Sequence, residues 1–176
     1  IQLPVPKHID EYTITSRVLP EKDVDGFGPF NIGELNKKSG SPLFLPCTPK
    51  GIIELLQRSN VEIAGANAVV LGRSDIVGAP VATLLRGLDA TVTVLHSKSR
   101  NIPQFIQNAD IVVDAIGQPE YVKGEWFEQG TKRDAVVIDV GTNGVEDKTK
   151  KSGFRLVGDV EFDKVAPLVK LITPVP

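Results

Sequence analysis

The sequence predicts a doubly wound α/β domain, a parallel sheet with helices on both faces, behind an N-terminal stretch of different character. Three observations lead there. From about residue 64 onward, short Val/Ile-rich runs alternate with stretches of helical periodicity. Those runs are apolar at successive positions rather than alternate ones, as strands covered on both faces are. The first run closes on glycine and opens into a helix that starts with proline, Val69-Val70-Leu71-Gly72-Arg73-Ser74-Asp75-Ile76-Val77-Gly78-Ala79-Pro80. A mixed α+β domain is the competing reading.

Taken in order, Ile1-Gln2-Leu3-Pro4-Val5-Pro6 reads as a strand end running into extended, proline-restricted chain. A helix is expected over 9–18 with Asp10 as its cap, and a loop over 20–30. Another helix is expected over 49–59, with Thr48 at the cap, Pro49 in the first turn and Ile52, Ile53, Leu55 and Leu56 as its buried face. Strands then follow at 68–71, 90–95, 111–115, 135–140, 155–157 and 171–173, with helices at 79–86, 103–108, 124–129 and 161–168. The organisation thus changes near residue 64, from proline-dense chain with short apolar runs to the alternating series.

Composition narrows the function. Of the 176 residues 41% are hydrophobic, and the net charge of −2 comes with no long basic block. Nucleic-acid and membrane-surface binding are therefore not expected, nor is a membrane span. Cys47 is the single cysteine, so no disulfide forms within the chain and a reducing compartment is expected. Cys47 itself reads as a small buried side chain. Methionine is absent even at position 1, which suggests a piece of a longer protein. No metal site is expected.

The strand–glycine–helix layout is that of a dinucleotide-binding crossover of Rossmann-like type. Gly72 permits the turn, Gly78 lets the helix approach the strand, and the helix-start N–H groups face a pyrophosphate. Ser74 stands where a second glycine is usual. The next strand ends in His96-Ser97-Lys98-Ser99-Arg100. An Asp or Glu at that place binds ribose hydroxyls in NAD enzymes; here there are cations and hydroxyls, which suit a 2′-phosphate. Arg73 reaches toward the same place, so NADP is expected over NAD. Two later strand ends, Ala115-Ile116-Gly117 and Val140-Gly141-Thr142-Asn143, suit the same crevice, their glycines letting a cofactor lie against backbone. Asp110, Asp114 and Asp139 read as loop organisers, Asp23 and Asp25 as turn residues, and neither His8 nor His96 has a visible carboxylate partner.

Several motifs occur in one order: Gln2-Leu3-Pro4, Lys22-Asp23-Val24-Asp25-Gly26, Pro46-Cys47-Thr48-Pro49, Gly72-Arg73-Ser74 with Val77-Gly78, Asp139-Val140-Gly141, Gly158-Asp159-Val160 and Thr173-Pro174-Val175-Pro176. Together they resemble the methylene-tetrahydrofolate dehydrogenase/cyclohydrolase family, over essentially the whole chain. Gly141-Thr142-Asn143 is similar to the version within trifunctional one-carbon tetrahydrofolate synthases. The resemblance implies two α/β domains with NADP on one and a tetrahydrofolate derivative in the cleft between them. On this resemblance residues 1–50 are the remnant of the N-terminal folate-binding, catalytic domain with the start of a crossing helix, and 51–176 are the Rossmann-like NADP-binding domain. It implies hydride transfer from the folate methylene bridge to NADP, then hydrolysis of the methenyl product to formyl-tetrahydrofolate. It also implies that Gly72, Arg73 and Ser74 form the cofactor loop, that Ser97 with Arg73 meets the 2′-phosphate, and that Thr142 lies near the nicotinamide end. Asp25 pairs with the pterin, Gln2 sits beside the catalytic lysine, and Leu3, Pro4 and Pro176 belong to the folate wall. A homodimer, cytoplasmic or alternatively mitochondrial, is implied too.

The chain departs from that family in two respects. The resemblance implies a glycine-rich loop that closes on folate and then a long helix, after the point where this sequence stops, at Pro176. It also implies a catalytic lysine four residues after a tyrosine, yet Tyr12 is followed there by Ser16 and Tyr121 by Glu125. The expectation is that these residues alone bind NADP weakly without catalysing cyclohydrolysis. The alternatives are a non-catalytic NADP-binding module and an amino-acid or shikimate-type dehydrogenase with a similar cofactor domain.

Overall fold

A computed structural model describes residues 1–128 and 134–175. Its centre is a five-stranded parallel sheet built from β1 (Asn67–Leu71), β2 (Thr91–Leu95), β3 (Ile111–Asp114), β4 (Val136–Asp139) and, later in the chain, β7 (Leu171–Ile172). The spatial order is β2-β1-β3-β4-β7. Helices α4 (Gly78–Gly87), α5 (Ile102–Gln107), α6 (Glu125–Glu128) and α7 (Phe162–Val165) make the crossovers. The expected doubly wound architecture is present.

The two-sided core explains the unbroken apolar runs. Ala68, Val70, Ile111, Val113, Val136 and Ile138 pack with Val81 and Leu85 of α4, and with Ile52 and Leu56 of α3 (Cys47–Arg58). The alternate positions Val69, Leu71, Val112 and Val137 pack on the other face with Ile106, Phe127 and Val165 of α5, α6 and α7. In the central strands β1, β3 and β4 every residue after Asn67 is thus buried whichever way it points, whereas the edge strands β2 and β7 are partly exposed.

Several local expectations are corrected. Residues 1–6 form no strand; strand pairing is absent there among the described residues, and the Leu3–Pro4 peptide is cis. The first helix, α1, is only Glu11–Thr15, capped as expected by Asp10, whose carboxylate accepts from the Thr13 amide. Within the expected loop, Pro20–Lys22 is a 3-10 turn, and a further helix, α2, covers Pro29–Asn36 with proline in its first turn. Helix α3 starts at Cys47, with Pro46 rather than Thr48 at its cap position and no side-chain cap, and Cys47 is exposed. The strand expected at 155–157 is not in the main sheet. It is β6 (Phe154–Val157), paired antiparallel with β5 (Asn143–Glu146) in a separate two-stranded ribbon. The expected helix at 161–168 is divided: α7 gives way to a 3-10 turn over Ala166–Leu168 because Pro167 has no amide to donate. The expected end of α6 at Gln129 lies outside the described residues. None of the described helices is long and apolar enough to cross a membrane.

The N-terminal stretch docks on the sheet domain through α2 and α4. Arg86 Nη2 donates to the Asn36 carbonyl at 3.3 Å and the Thr83 hydroxyl meets Asn36 Oδ1 at 3.2 Å. Helix α3 spans residue 50, and its buried Ile52 and Leu56 belong to the core of the sheet domain.

Candidate functional site

The sheet order reverses between β1 and β3: one crossover leads outward to β2, the next back across β1. Open parallel sheets bind ligands at such a point, beyond the carboxyl ends of the strands. A cleft of about 520 Å³ lies there, over the ends of β1, β2 and β3.

Its floor is the turn after β1. The Gly72 amide bonds the Leu95 carbonyl at 2.9 Å, tying the ends of β1 and β2 together. Gly72 has φ +110°, and a Cβ there would run into the carbonyl of Ala115 at the end of β3, so glycine is required twice over. Gly78 also sits close to this turn, since a Cβ on it would strike the Gly72 carbonyl. What it lets approach is the turn itself rather than the body of the strand. Ser74 has its own reason: its hydroxyl accepts from the Val77 and Gly78 amides, both at 3.3 Å, and so ties the turn to the first residue of α4.

One wall is the turn after β2. The His96 amide donates to Ser99 Oγ at 3.0 Å, the Ser99 amide returns to the His96 carbonyl at 2.8 Å, and the Lys98 amide donates to His96 Nδ1 at 3.1 Å. This tight turn sets Ser97, exposed, across from Arg73, also exposed. Gly72, Arg73, Ser74, His96 and Ser97 all line the cleft, together with Ile102, Ile116, Gln118 and Tyr121, and no Asp or Glu is among the described residues that line it. The residues fit a phosphorylated dinucleotide: a glycine turn that admits close backbone approach, hydroxyls and a cation for phosphate, apolar side chains for a base, and no carboxylate to repel the anion. Gln118 and Tyr121 escaped the sequence reading because no spacing marks them. Tyr121 stands edge-on to Trp126, ring centres 5.6 Å apart.

At the ends of β3 and β4 the chemistry changes. Asp139 accepts from the Gly141 amide at 3.2 Å and from the Asp159 and Val160 amides at 2.9 Å each. Asp159, fully buried, accepts from the Ile116, Gly117 and Gln118 amides and from Asn143 Nδ2. Gly141 and Gly158 make room for these carboxylates, since a Cβ at either would overlap Asp159 or Asp139 respectively. Gly141 thus faces a carboxylate of the chain itself, not the crevice as expected. Asp114, fully buried, has neither oxygen hydrogen-bonded. Burial first, then the charges of Asp139 and Asp159, pushes its carboxyl well above the usual carboxylate range. Asp139 is raised too, chiefly by burial, against the lowering effect of its amide donors. Asp110 organises the loop before β1 as expected, accepting from the Asn67 amide at 2.8 Å.

The other singled-out residues lie elsewhere. Thr142 is exposed and does not line the cleft. Gln2 is exposed and its amide donates to the neighbouring Leu3 carbonyl at 3.1 Å; Leu3 is half-buried and Pro4 exposed. Asp23 is a loop organiser, buried and bonded by the Phe27 and Gly28 amides and by Asn31 Nδ2. Asn31, unnoticed in the sequence, passes this hold on by accepting from the Leu43 and Phe44 amides. Asp25 projects from the same loop, half-buried, and lines a small cleft with Ile1, the neighbour of Gln2. Pro176 lies outside the described residues.

Comparison with known proteins adds to this geometry. Residues 46–176 match the family model described as tetrahydrofolate dehydrogenase/cyclohydrolase, NAD(P)-binding domain. The whole chain is 67% identical, over 180 aligned residues, to 19% of the cytoplasmic C-1-tetrahydrofolate synthase of Saccharomyces cerevisiae. It is 55% identical to 58% of the bifunctional protein FolD 2 of Arabidopsis thaliana. Among solved structures, a Trypanosoma brucei methylenetetrahydrofolate dehydrogenase-cyclohydrolase, crystallised with NADP and an inhibitor, superimposes with a TM-score of 0.92 at 50% identity, over 99% of this chain and 58% of that one. The chain therefore spans less than two thirds of each of these relatives.

Proposed function

Because the chain belongs to the tetrahydrofolate dehydrogenase/cyclohydrolase family, we propose that it supplies the NADP-binding part of an enzyme with both activities. That enzyme moves a hydride from methylene-tetrahydrofolate to NADP, then hydrolyses the methenyl product to formyl-tetrahydrofolate. The observation that supports this reading best is the convergence of the Gly72 turn, Arg73 and Ser97 on one cleft with no carboxylate among the described residues that line it.

The chain's own residues divide the work. The Gly72 turn brings backbone close to the pyrophosphate, and Ser74 settles the start of α4 beside it. Arg73 and Ser97 meet the ribose 2′-phosphate, one by charge-assisted hydrogen bonds and one by a neutral hydroxyl. Bound here, NADP supplies the hydride-accepting ring. Thr142 lies toward that end of the cofactor in this proposal. On the folate side, Asp25 accepts the two adjacent N–H groups of the aminopyrimidinone, Gln2 flanks the reacting carbon, and Leu3, Pro4 and Pro176 form the wall. Residues 1–50 then belong to the folate side and 51–176 to the cofactor side. A homodimer is part of the proposal. So is a cytoplasmic location, which follows the name of the 67% identical relative, although a mitochondrial yeast relative is 57% identical.

A fluorescence titration with NADPH and NADH tests the reading. NADPH should bind at least tenfold more tightly, the gain from charge-assisted contacts to one phosphate. Preference for NADH overturns it.

A further inference from the structure

We propose that Asp159 is a positioning residue for the dinucleotide: its carboxylate holds the 116–118 turn in the shape that forms one wall of the cleft. The inference rests on the reading of that cleft as a dinucleotide site. Asp159 is fully buried and is not among the residues lining the cleft, so it acts through others. Its Oδ2 accepts from the Ile116 amide at 2.6 Å and the Gly117 amide at 2.8 Å, and its Oδ1 from the Gln118 amide at 2.9 Å. Three consecutive amides converging on one carboxylate form an anion nest, here filled by the protein itself. Ile116 and Gln118 both line the cleft. The same segment is tied back by the Glu120 amide to the Gly158 carbonyl at 3.0 Å and by the Val122 amide to the Asp159 carbonyl at 2.9 Å.

Asp159 is itself anchored. Asp139, at the end of β4, accepts from the Asp159 and Val160 amides, and Asn143 Nδ2 donates to Asp159 Oδ1 at 2.9 Å. The sheet thus fixes Asp139, Asp139 fixes Asp159, and Asp159 fixes the turn. Without the nest, three adjacent amides facing the interior lose their acceptor and the turn must rearrange to satisfy them.

Charge and position predict opposite signs, which makes the proposal testable. A negative charge beneath a phosphate-binding cleft weakens anion binding, so on charge alone Asp159→Asn tightens NADPH. On position it loosens NADPH, because the Asn amide nitrogen turns a donor toward the Gln118 amide or the Ile116 and Gly117 amides. The experiment titrates wild type and Asp159→Asn with NADPH, read by energy transfer from Trp126, the single tryptophan, which stands against the cleft-lining Tyr121. Expected is a dissociation constant raised about tenfold or more, the scale of one to two lost hydrogen bonds, with the emission maximum of the free variant unchanged. Unchanged or tighter binding overturns the proposal. If Asp159→Asn does not fold, Asn143→Ala decides, because it removes one donor and leaves the carboxylate: affinity weakened a few-fold supports positioning, and unaltered affinity overturns it. Failure of the wild-type protein to bind NADPH would instead sink the reading of the cleft.

Discussion

The carboxyl edge of the sheet is used in two opposed ways. At the ends of β1 and β2 the chain leaves Arg73, Ser74 and Ser97 exposed around an open cleft. At the ends of β3 and β4 it buries three carboxyl groups, two of them bonded by backbone amides from neighbouring turns. Both halves contain glycines that leave no room for a Cβ. In the first half that room lies at the turn a ligand approaches; in the second the protein's own carboxylates fill it. Glycine at a strand end therefore does not identify a binding site, and its neighbour's chemistry must be read as well.

The most severe way to break the contrast is Gly158→Ala. The new methyl overlaps the Asp139 carboxylate, which cannot move without releasing two amides. Loss of about 3 kcal/mol of stability is expected, as for overpacking combined with broken buried hydrogen bonds. Urea denaturation followed by Trp126 emission measures it, and a loss below about 0.5 kcal/mol, the range of an ordinary surface change, would mean that the buried half tolerates rearrangement.

Next in size is Arg73→Ala on the open half. Removing this proposed charge-assisted partner of the 2′-phosphate should weaken NADPH by about 2 kcal/mol, roughly thirtyfold, and leave NADH nearly unchanged. Equal losses for both cofactors would show that Arg73 serves a part they share.

How much of this was readable follows the same division. The central strands β1, β3 and β4 were legible because burial on both faces leaves continuous Val/Ile runs, and the edge strands β2 and β7 because they are short β-branched or aliphatic runs following helical stretches. The open half of the site was legible because Gly72, Arg73, Ser74 and Ser97 lie immediately after two of those strands. Of the ribbon β5–β6 the second strand was legible at 155–157, but the first was not: Asn143-Gly144-Val145-Glu146 alternates half-buried with exposed positions over only four residues, too short a period to stand out. Helix α2 was hidden by the glycines and proline around it. The Asp139–Asp159 network spans 20 residues, and the ties from Asp159 to the 116–118 turn span 41 to 43. Such contacts depend on sheet order, which local pattern does not encode. Asp114 shows the limit most clearly: at the end of the run Ile111-Val112-Val113-Asp114 it reads as a loop organiser, yet its carboxyl is fully buried and neither oxygen is hydrogen-bonded.

Asp114 sharpens the comparison through pH. Its folded carboxyl titrates well above the ordinary value of 3.8, so between those two values the folded protein holds a proton that the unfolded chain has released. Stability is then highest below the ordinary carboxylate range and falls as pH rises through the folded value, by up to about 1.4 kcal/mol per pH unit for one proton. Asp114→Asn removes that proton from the balance. The variant should be more stable than wild type at neutral pH, and its urea midpoint should fall less steeply with pH. Some slope remains from Asp139, which is raised in the same direction. Parallel midpoint curves for the two proteins would mean that Asp114 does not retain its proton.

The smallest expected effect is the most selective. Ser97→Ala removes a neutral hydroxyl from the rim of the cleft, worth about 1 kcal/mol or roughly fivefold in NADPH affinity, and should leave NADH unaffected. Arg73 and Ser97 can then be told apart by salt. The Arg73 contribution is a charge–charge contact at an exposed site, so the ratio of wild-type to Arg73→Ala affinity should shrink as ionic strength rises. The Ser97 contribution is a short-range hydrogen bond, and the ratio of wild-type to Ser97→Ala affinity should stay nearly constant from low to high salt. If that ratio also collapses, Ser97 acts by holding a charged neighbour in place, and the cleft meets the 2′-phosphate through cations alone.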